Sequence, residues 1–146
     1  LSRSGTILGL DGNKMSKSRG NTIELGMTAD ETAKLLKRAV TDSDRHITYD
    51  PVNRPEVSNL VNIAAMCLDR TPEDVAEEIG DGGGGGLKKL ATAAVNDHFA
   101  AHRARRAELM ADPGALRDVL RAGNERANAV AEATLAEVRQ AMSMDY

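Results

Sequence analysis

Val57, Leu60, Val61, Ala64, Ala65 and Leu68 succeed one another at the spacings of a single helical face. This stripe constrains the fold of the 146-residue chain more than any other feature. Pro55 ahead of it suits a first helical position, where a missing N–H costs nothing. Thr28 with Glu31 three residues on forms a capping box, followed by Leu35, Leu36, Ala39 and Val40 on one face. Thr71-Pro72-Glu73-Asp74 opens a short acidic helix that Gly80 ends. Leu87, Leu90, Ala91, Ala94 and Val95 make another apolar face. After a restart at Asp112-Pro113, Leu116, Val119, Leu120, Gly123, Ala127, Val130, Ala131, Thr134, Leu135, Val138 and Met142 hold one long stripe. Its small residues Gly123, Ala127 and Ala131 would let another helix approach closely. The fold class is therefore mainly α, with about five helices. Aromatic residues make up only 2% of the chain, so its core must be aliphatic.

Residues 1–26 differ from the rest. Gly5, Gly9, Gly12, Gly20 and Gly26 punctuate two β-favouring pieces, Thr6-Ile7-Leu8 and Thr22-Ile23-Glu24. The stretch reads as an approach, a polar loop and a short exit strand, too small to form a sheet alone. Gly82 to Gly86 are consecutive glycines, read as a flexible or tightly turned connector. No Gly-Lys-Ser/Thr follows them, which excludes a phosphate-binding P-loop. The formal charge of −3 excludes a general basic coat, so any RNA contact must be local. Cys67 is alone and reads as a small buried hydrophobe. His98 and His102 are four apart, but a zinc site would need two more ligands, and no metal site is assigned. No apolar run approaches the length of a membrane span, and the chain reads as cytoplasmic, with no membrane partner.

Lys14-Met15-Ser16-Lys17-Ser18 is where chemistry is expected. A bare pair of lysines three apart is ordinarily a solvated basic turn. Here two ammonium groups and two hydroxyls lie between Gly12 and Gly20, a set of donors suited to gripping a polyphosphate. A loop that closes as charge gathers on a leaving pyrophosphate places its binding energy in the transition state.

The pentapeptide is the signature loop of class I aminoacyl-tRNA synthetases. Its surroundings resemble the tryptophanyl-tRNA synthetase family: Gly9-Leu10-Asp11-Gly12, Gly20-Asn21-Thr22-Ile23, Val40-Thr41-Asp42-Ser43, the glycine-rich connector and Glu132-Ala133-Thr134-Leu135-Ala136-Glu137-Val138-Arg139. The resemblance spans nearly the whole chain. It implies that residues 1–26 are the edge of a Rossmann-type catalytic domain and that residues 27–146 are a helical anticodon-binding domain. It further implies ATP binding by Lys14, Met15, Ser16, Lys17 and Ser18, with Lys17 and then Lys14 stabilising the transition state of adenylate formation. Arg19 departs from several relatives, and its role is open. ATP with Mg2+ would be the substrate complex, with no tightly bound cofactor, and the full-length enzyme a homodimer acting on tryptophan and its tRNA.

The class's other signature, a His-x-Gly-His element, is absent from the sequence. Tryptophan would therefore be held by an N-terminal half not represented here, and the isolated chain is expected to be inactive. Arg103, Arg106, Arg117, Arg121 and Arg126, with Arg105, cluster among acidic residues. They read either as a salt-bridged helix surface or as contacts to an anticodon loop. Two alternatives stand beside the leading reading. One is a tyrosyl-tRNA synthetase of the same architecture; the other is a stand-alone helical tRNA-binding or partner-binding module without catalysis.

Overall fold

The structure, a computed structural model, describes residues 7–144. Thr6, the start of the first β-favouring piece, and Gly5 ahead of it lie outside the described residues. The architecture is α-helical: α1 (Ala29–Lys37), α2 (Pro55–Leu68), α3 (Pro72–Ile79), α4 (Gly83–His98), α5 (Ala100–Ala111) and α6 (Pro113–Ala141), with single 3-10 turns at Lys17–Arg19 and Gly80–Gly82. The chain divides into two compact units between Arg103 and Ala104.

In the first unit the core lies where α4 meets α1 and α2, with α3 packed on α2. Leu36, Val57, Leu60, Val61, Val75, Leu87 and Val95 are fully buried there. Helix α1 starts at the expected capping box, with Glu31 N–H donating to Thr28 Oγ1 (3.2 Å) and Thr28 N–H to Glu31 Oε2 (2.8 Å). Such caps are worth about 1 kcal/mol. It stops before Val40, whose N–H leaves the helix to meet Leu10 O at 2.9 Å and ties the front segment to the core. Asn59, buried on α2, holds that segment from the other side. It accepts from Leu8 N–H (2.9 Å) and donates to Leu8 O (3.0 Å).

The entry to α2 is organised by Arg54. Its guanidinium donates twice to Asp42 (2.7 and 2.8 Å), to His46 O (2.7 Å) and to Thr48 Oγ1 (2.9 Å). These bonds gather residues 42–48 against the start of the helix. This neighbour also holds the Asp42 carboxyl below its ordinary value.

Three expectations change. The glycines of 82–86 are helical rather than a connector: Gly83 to Gly86 form the first turn of α4. A Cβ on Gly84 would lie 2.8 Å from Thr41 Oγ1, so the bare backbone lets the 41–54 loop press against the helix start. Thr22-Ile23-Glu24 is not a strand; the described residues contain one isolated antiparallel bridge, Leu8 to Lys14. Ile23 instead packs against the helical core. Finally, the helix expected to follow the glycines is broken after His98, where Phe99 caps α4 and α5 begins.

In the second unit, α6 opens as expected at Asp112, whose Oδ1 accepts the Ala115 N–H at 3.0 Å. None of its side chains is buried. The stripe from Leu116 to Met142 keeps its spacing but is solvent-facing, and Gly123 has no neighbour within 4 Å of where a Cβ would stand.

Candidate functional site: the lysine loop

The loop is built on a tight hairpin. Gly9 N–H donates to Asn13 O (2.7 Å), Gly12 N–H to Gly9 O (3.0 Å), and Leu8 bridges to Lys14. Gly12 at φ +78° makes the turn, a conformation that a side chain would strain. Asp11 accepts the Asn13 N–H at 3.0 Å, an Asx-type closure of the same turn.

Beyond the hairpin, Ser16 is extended and stands just ahead of the Lys17–Arg19 turn, which Gly20 ends at φ +63°. Gly20 N–H returns to Lys17 O at 3.1 Å. The hydroxyls of Ser16 and Ser18 meet at 2.8 Å. Lys14 and Lys17 are exposed, and among the described residues neither has an ion-pair partner. The five expected residues are thus together, with both ammonium groups presented to solvent. Met15 is half-exposed at the mouth of an apolar cavity of about 230 Å3, lined by Leu10, Ile23, Ile63, Cys67 and Phe99 among others. Burial pushes the Cys67 thiol up, in keeping with a packing role.

Sequence reasoning assigned no role to Asn21, yet its side chain is the hub of the loop. It is 4% exposed. Its Oδ1 accepts from Ser16 N–H (2.8 Å), and its Nδ2 donates to Asp11 Oδ1 (2.7 Å) and Lys14 O (3.2 Å). The Asn21 amide is the main cause that lowers the Asp11 carboxyl pKa. The available signal was the Asp11/Asn21 pair bracketing the lysines.

The arginines set apart for RNA divide. Arg103 donates to Met27 O (3.0 Å), Thr32 Oγ1 (3.0 Å) and Asn96 O (3.3 Å), stapling the end of its unit. Arg105 pairs with Glu108 (2.9 Å) and Arg121 with Asp118 (3.2 Å), both exposed. Such surface pairs contribute about 0–1 kcal/mol. Arg106, Arg117 and Arg126 are exposed, with no ion pair among the described residues. His98 and His102 stand edge-on to Phe99. No group of three or more His, Cys, Asp or Glu able to hold a metal lies among the described residues.

Comparison with known proteins finds relatives along most of the chain. The family described as tRNA synthetases class I (W and Y) matches residues 3–100. A tryptophan–tRNA ligase of Thermosynechococcus vestitus is 41% identical over 131 residues, covering 88% of this chain and 40% of the relative. Tryptophan–tRNA ligase 1 of Streptomyces coelicolor is 40% identical over 115 residues, covering 79% and 34% respectively. Among solved structures, tryptophanyl-tRNA synthetase of Campylobacter jejuni, complexed with ADP and tryptophan, superposes with a TM-score of 0.78 at 27% identity. That match takes in 98% of this chain and 45% of the other. The chain thus spans about 40% of the length of the first of these relatives. With the family matched over 3–100 and the lysine loop in place, the chain belongs to the class I tRNA synthetases of the tryptophan and tyrosine group.

Proposed function

We propose that this chain is the part of a tryptophan–tRNA ligase that handles the phosphates of ATP and reaches toward tRNA. In the reaction, a tryptophan carboxylate oxygen bonds to the α-phosphorus of ATP. The bond to the bridging oxygen breaks, and pyrophosphate departs with the added negative charge. The single observation that carries the reading is the lysine loop: two exposed ammonium groups with no ion-pair partner among the described residues, Lys14 at the end of the hairpin and Lys17 on the turn that follows it. Lys17 and Lys14 neutralise the departing charge, Ser16 and Ser18 donate hydrogen bonds to phosphate oxygens, and Met15 serves through its backbone. Mg2+ arrives with the ATP phosphates as part of the substrate.

Residues 1–26 belong to the catalytic side of this enzyme and residues 27–146 to its tRNA side. Arg106, Arg117, Arg121 and Arg126 are the side chains proposed to face RNA. Arg103 is the weakest of the original set, because its donors already serve Met27, Thr32 and Asn96. The complete enzyme acts as a homodimer in the cytoplasm. No helix among the described residues is long and apolar enough to cross a membrane.

The test is Lys17→Ala in the complete polypeptide. The single-turnover rate of adenylate formation should fall by about 10²–10³-fold, the scale of one lost transition-state donor, with ATP affinity little changed. An unchanged rate removes the assigned role. The 146-residue chain by itself should show no tryptophan-dependent ATP–pyrophosphate exchange, and robust exchange would contradict the division of labour.

A further inference from the structure

We infer that Asn21, which lies outside the pentapeptide, is a positioning residue that sets where Lys14 and Lys17 stand; the inference rests on the function proposed above. Both lysines are exposed and lack ion-pair partners among the described residues, so nothing at their tips fixes their separation. Their placement falls to the backbone. Among the described residues, the side chain that reaches the loop backbone from outside the pentapeptide is Asn21, through Ser16 N–H and Lys14 O. These bonds grip the chain on both sides of Met15. The third bond, to Asp11, fastens the grip to the hairpin that precedes the loop.

The orientation of the amide follows from chemistry. Ser16 N–H is a donor and must meet the carbonyl oxygen, which turns the NH2 group toward two acceptors, the Asp11 carboxylate and the Lys14 carbonyl. Both Nδ2 hydrogens are used. A buried amide this fully satisfied is favourable, and losing a partner leaves an expensive orphan. The neighbouring backbone is shaped to the amide. A Cβ on Gly9 would fall 2.2 Å from Asn21 Nδ2, so the amide occupies the space a side chain at 9 would take. Gly12 and Gly20, both at positive φ, turn the chain on either side while the amide holds the middle.

The test is a set of variants in the complete polypeptide: Asn21→Ala, Asn21→Asp, Asp11→Asn and the exchange Asn21→Asp with Asp11→Asn. Asn21→Ala should lower the single-turnover adenylation rate by about ten- to a hundredfold, the scale expected when catalytic groups drift by an ångström. The dissociation constants of ATP and tryptophan should stay within about threefold, because the groups remain present and only their placement is lost. Asn21→Asp should fall as far, since a carboxylate there faces a second carboxylate and a carbonyl with no hydrogen to give. The exchange restores a donor and an acceptor between positions 11 and 21 and should recover a measurable part of the rate. It preserves volume, so it remains informative where the alanine variant does not fold.

A merely structural role predicts instead that the rate per folded molecule is unchanged in every variant. That result, or an exchange no better than Asn21→Asp alone, overturns the inference. If the unaltered polypeptide forms no tryptophanyl-adenylate, the proposed function is what fails. Hydrogen exchange at the Ser16 amide of the chain then tests the clamp on its own. Slow exchange that Asn21→Ala abolishes supports it, and fast exchange in the unaltered chain overturns it.

Discussion

Helices α2 and α6 have the same sequence grammar and opposite fates. Each begins with proline at its first position and carries aliphatic residues at helical spacing. In α2 that stripe is sealed from Val57 to Ala65, with only Leu68 at its end exposed: Leu60 is 1% exposed, and Ser58 and Asn59 beside it are buried as well. In α6 Val130 is 69% exposed and no residue is buried. Periodicity therefore identifies a helix and the face it would bury, while what covers that face depends on other elements. For α2 the cover is α3 and α4, brought round by loops whose hydrogen bonds are specific.

The widest separation between the two helices should appear in core truncation. Leu60→Ala removes a fully buried side chain from a packed junction and should cost about 2–5 kcal/mol, read as a lowered denaturation midpoint. A cost under about 1 kcal/mol would mean that α2 is not sealed in solution, and the contrast would collapse.

The glycine turn that starts α4 tests how the cover is seated. Gly84→Ala drives a Cβ to 2.8 Å from Thr41 Oγ1 and should destabilise by about 1–3 kcal/mol, as overpacking does. Gly85→Ala has nothing within 4 Å and no positive φ to violate, so it should stabilise by about 0.4–1 kcal/mol by restricting the unfolded chain. Thermal melts of the pair decide it. Equal effects at 84 and 85 would indicate that the turn is not pressed against the 41–54 loop.

That loop also makes the entry to α2 sensitive to acid. The Arg54 hydrogen bond lowers the Asp42 pKa in the fold, so the pair stabilises above the ordinary aspartate value. Its contribution is lost as pH falls through the depressed folded value, in the window below about pH 4. The loss should be under about 1 kcal/mol, because the Asp42 side chain is 40% exposed and screened. Melting temperature followed against pH should fall less steeply for Asp42→Asn than for the unaltered chain. Parallel curves would show that the pair does not hold the helix entry.

How much of this was legible beforehand follows the range of the interactions involved. The capping box of α1, the Asp112-Pro113 restart and the α2 stripe were readable because each rests on residues within one or two turns. The lysine loop was readable because five adjacent residues carry it. The Asn21 clamp was not, since its amide matters only once the chain has folded back on Asp11 and Ser16. The glycines of 82–86 misled because bare backbone suits a loose connector and a helix start equally. Thr41, some forty residues earlier, decides between them. Arg103 misled for a related reason: a guanidinium reads as surface until carbonyls from Met27 and Asn96 surround it.

The smallest expected effect lies on α6, and its sign is what matters. Val130→Ala on this chain removes two methyl groups that are already in water, so little hydrophobic burial is lost. Alanine is the better helix former by a few tenths of a kcal/mol, because valine surrenders side-chain freedom against the preceding turn. The substitution should therefore leave stability unchanged or raise it slightly, the reverse of Leu60→Ala. Helix content by circular dichroism, followed through denaturation at several protein concentrations, measures this directly. A loss above about 1 kcal/mol that deepens with concentration would show that copies of the chain cover the stripe in solution, and α6 would then have to be placed with α2 rather than against it.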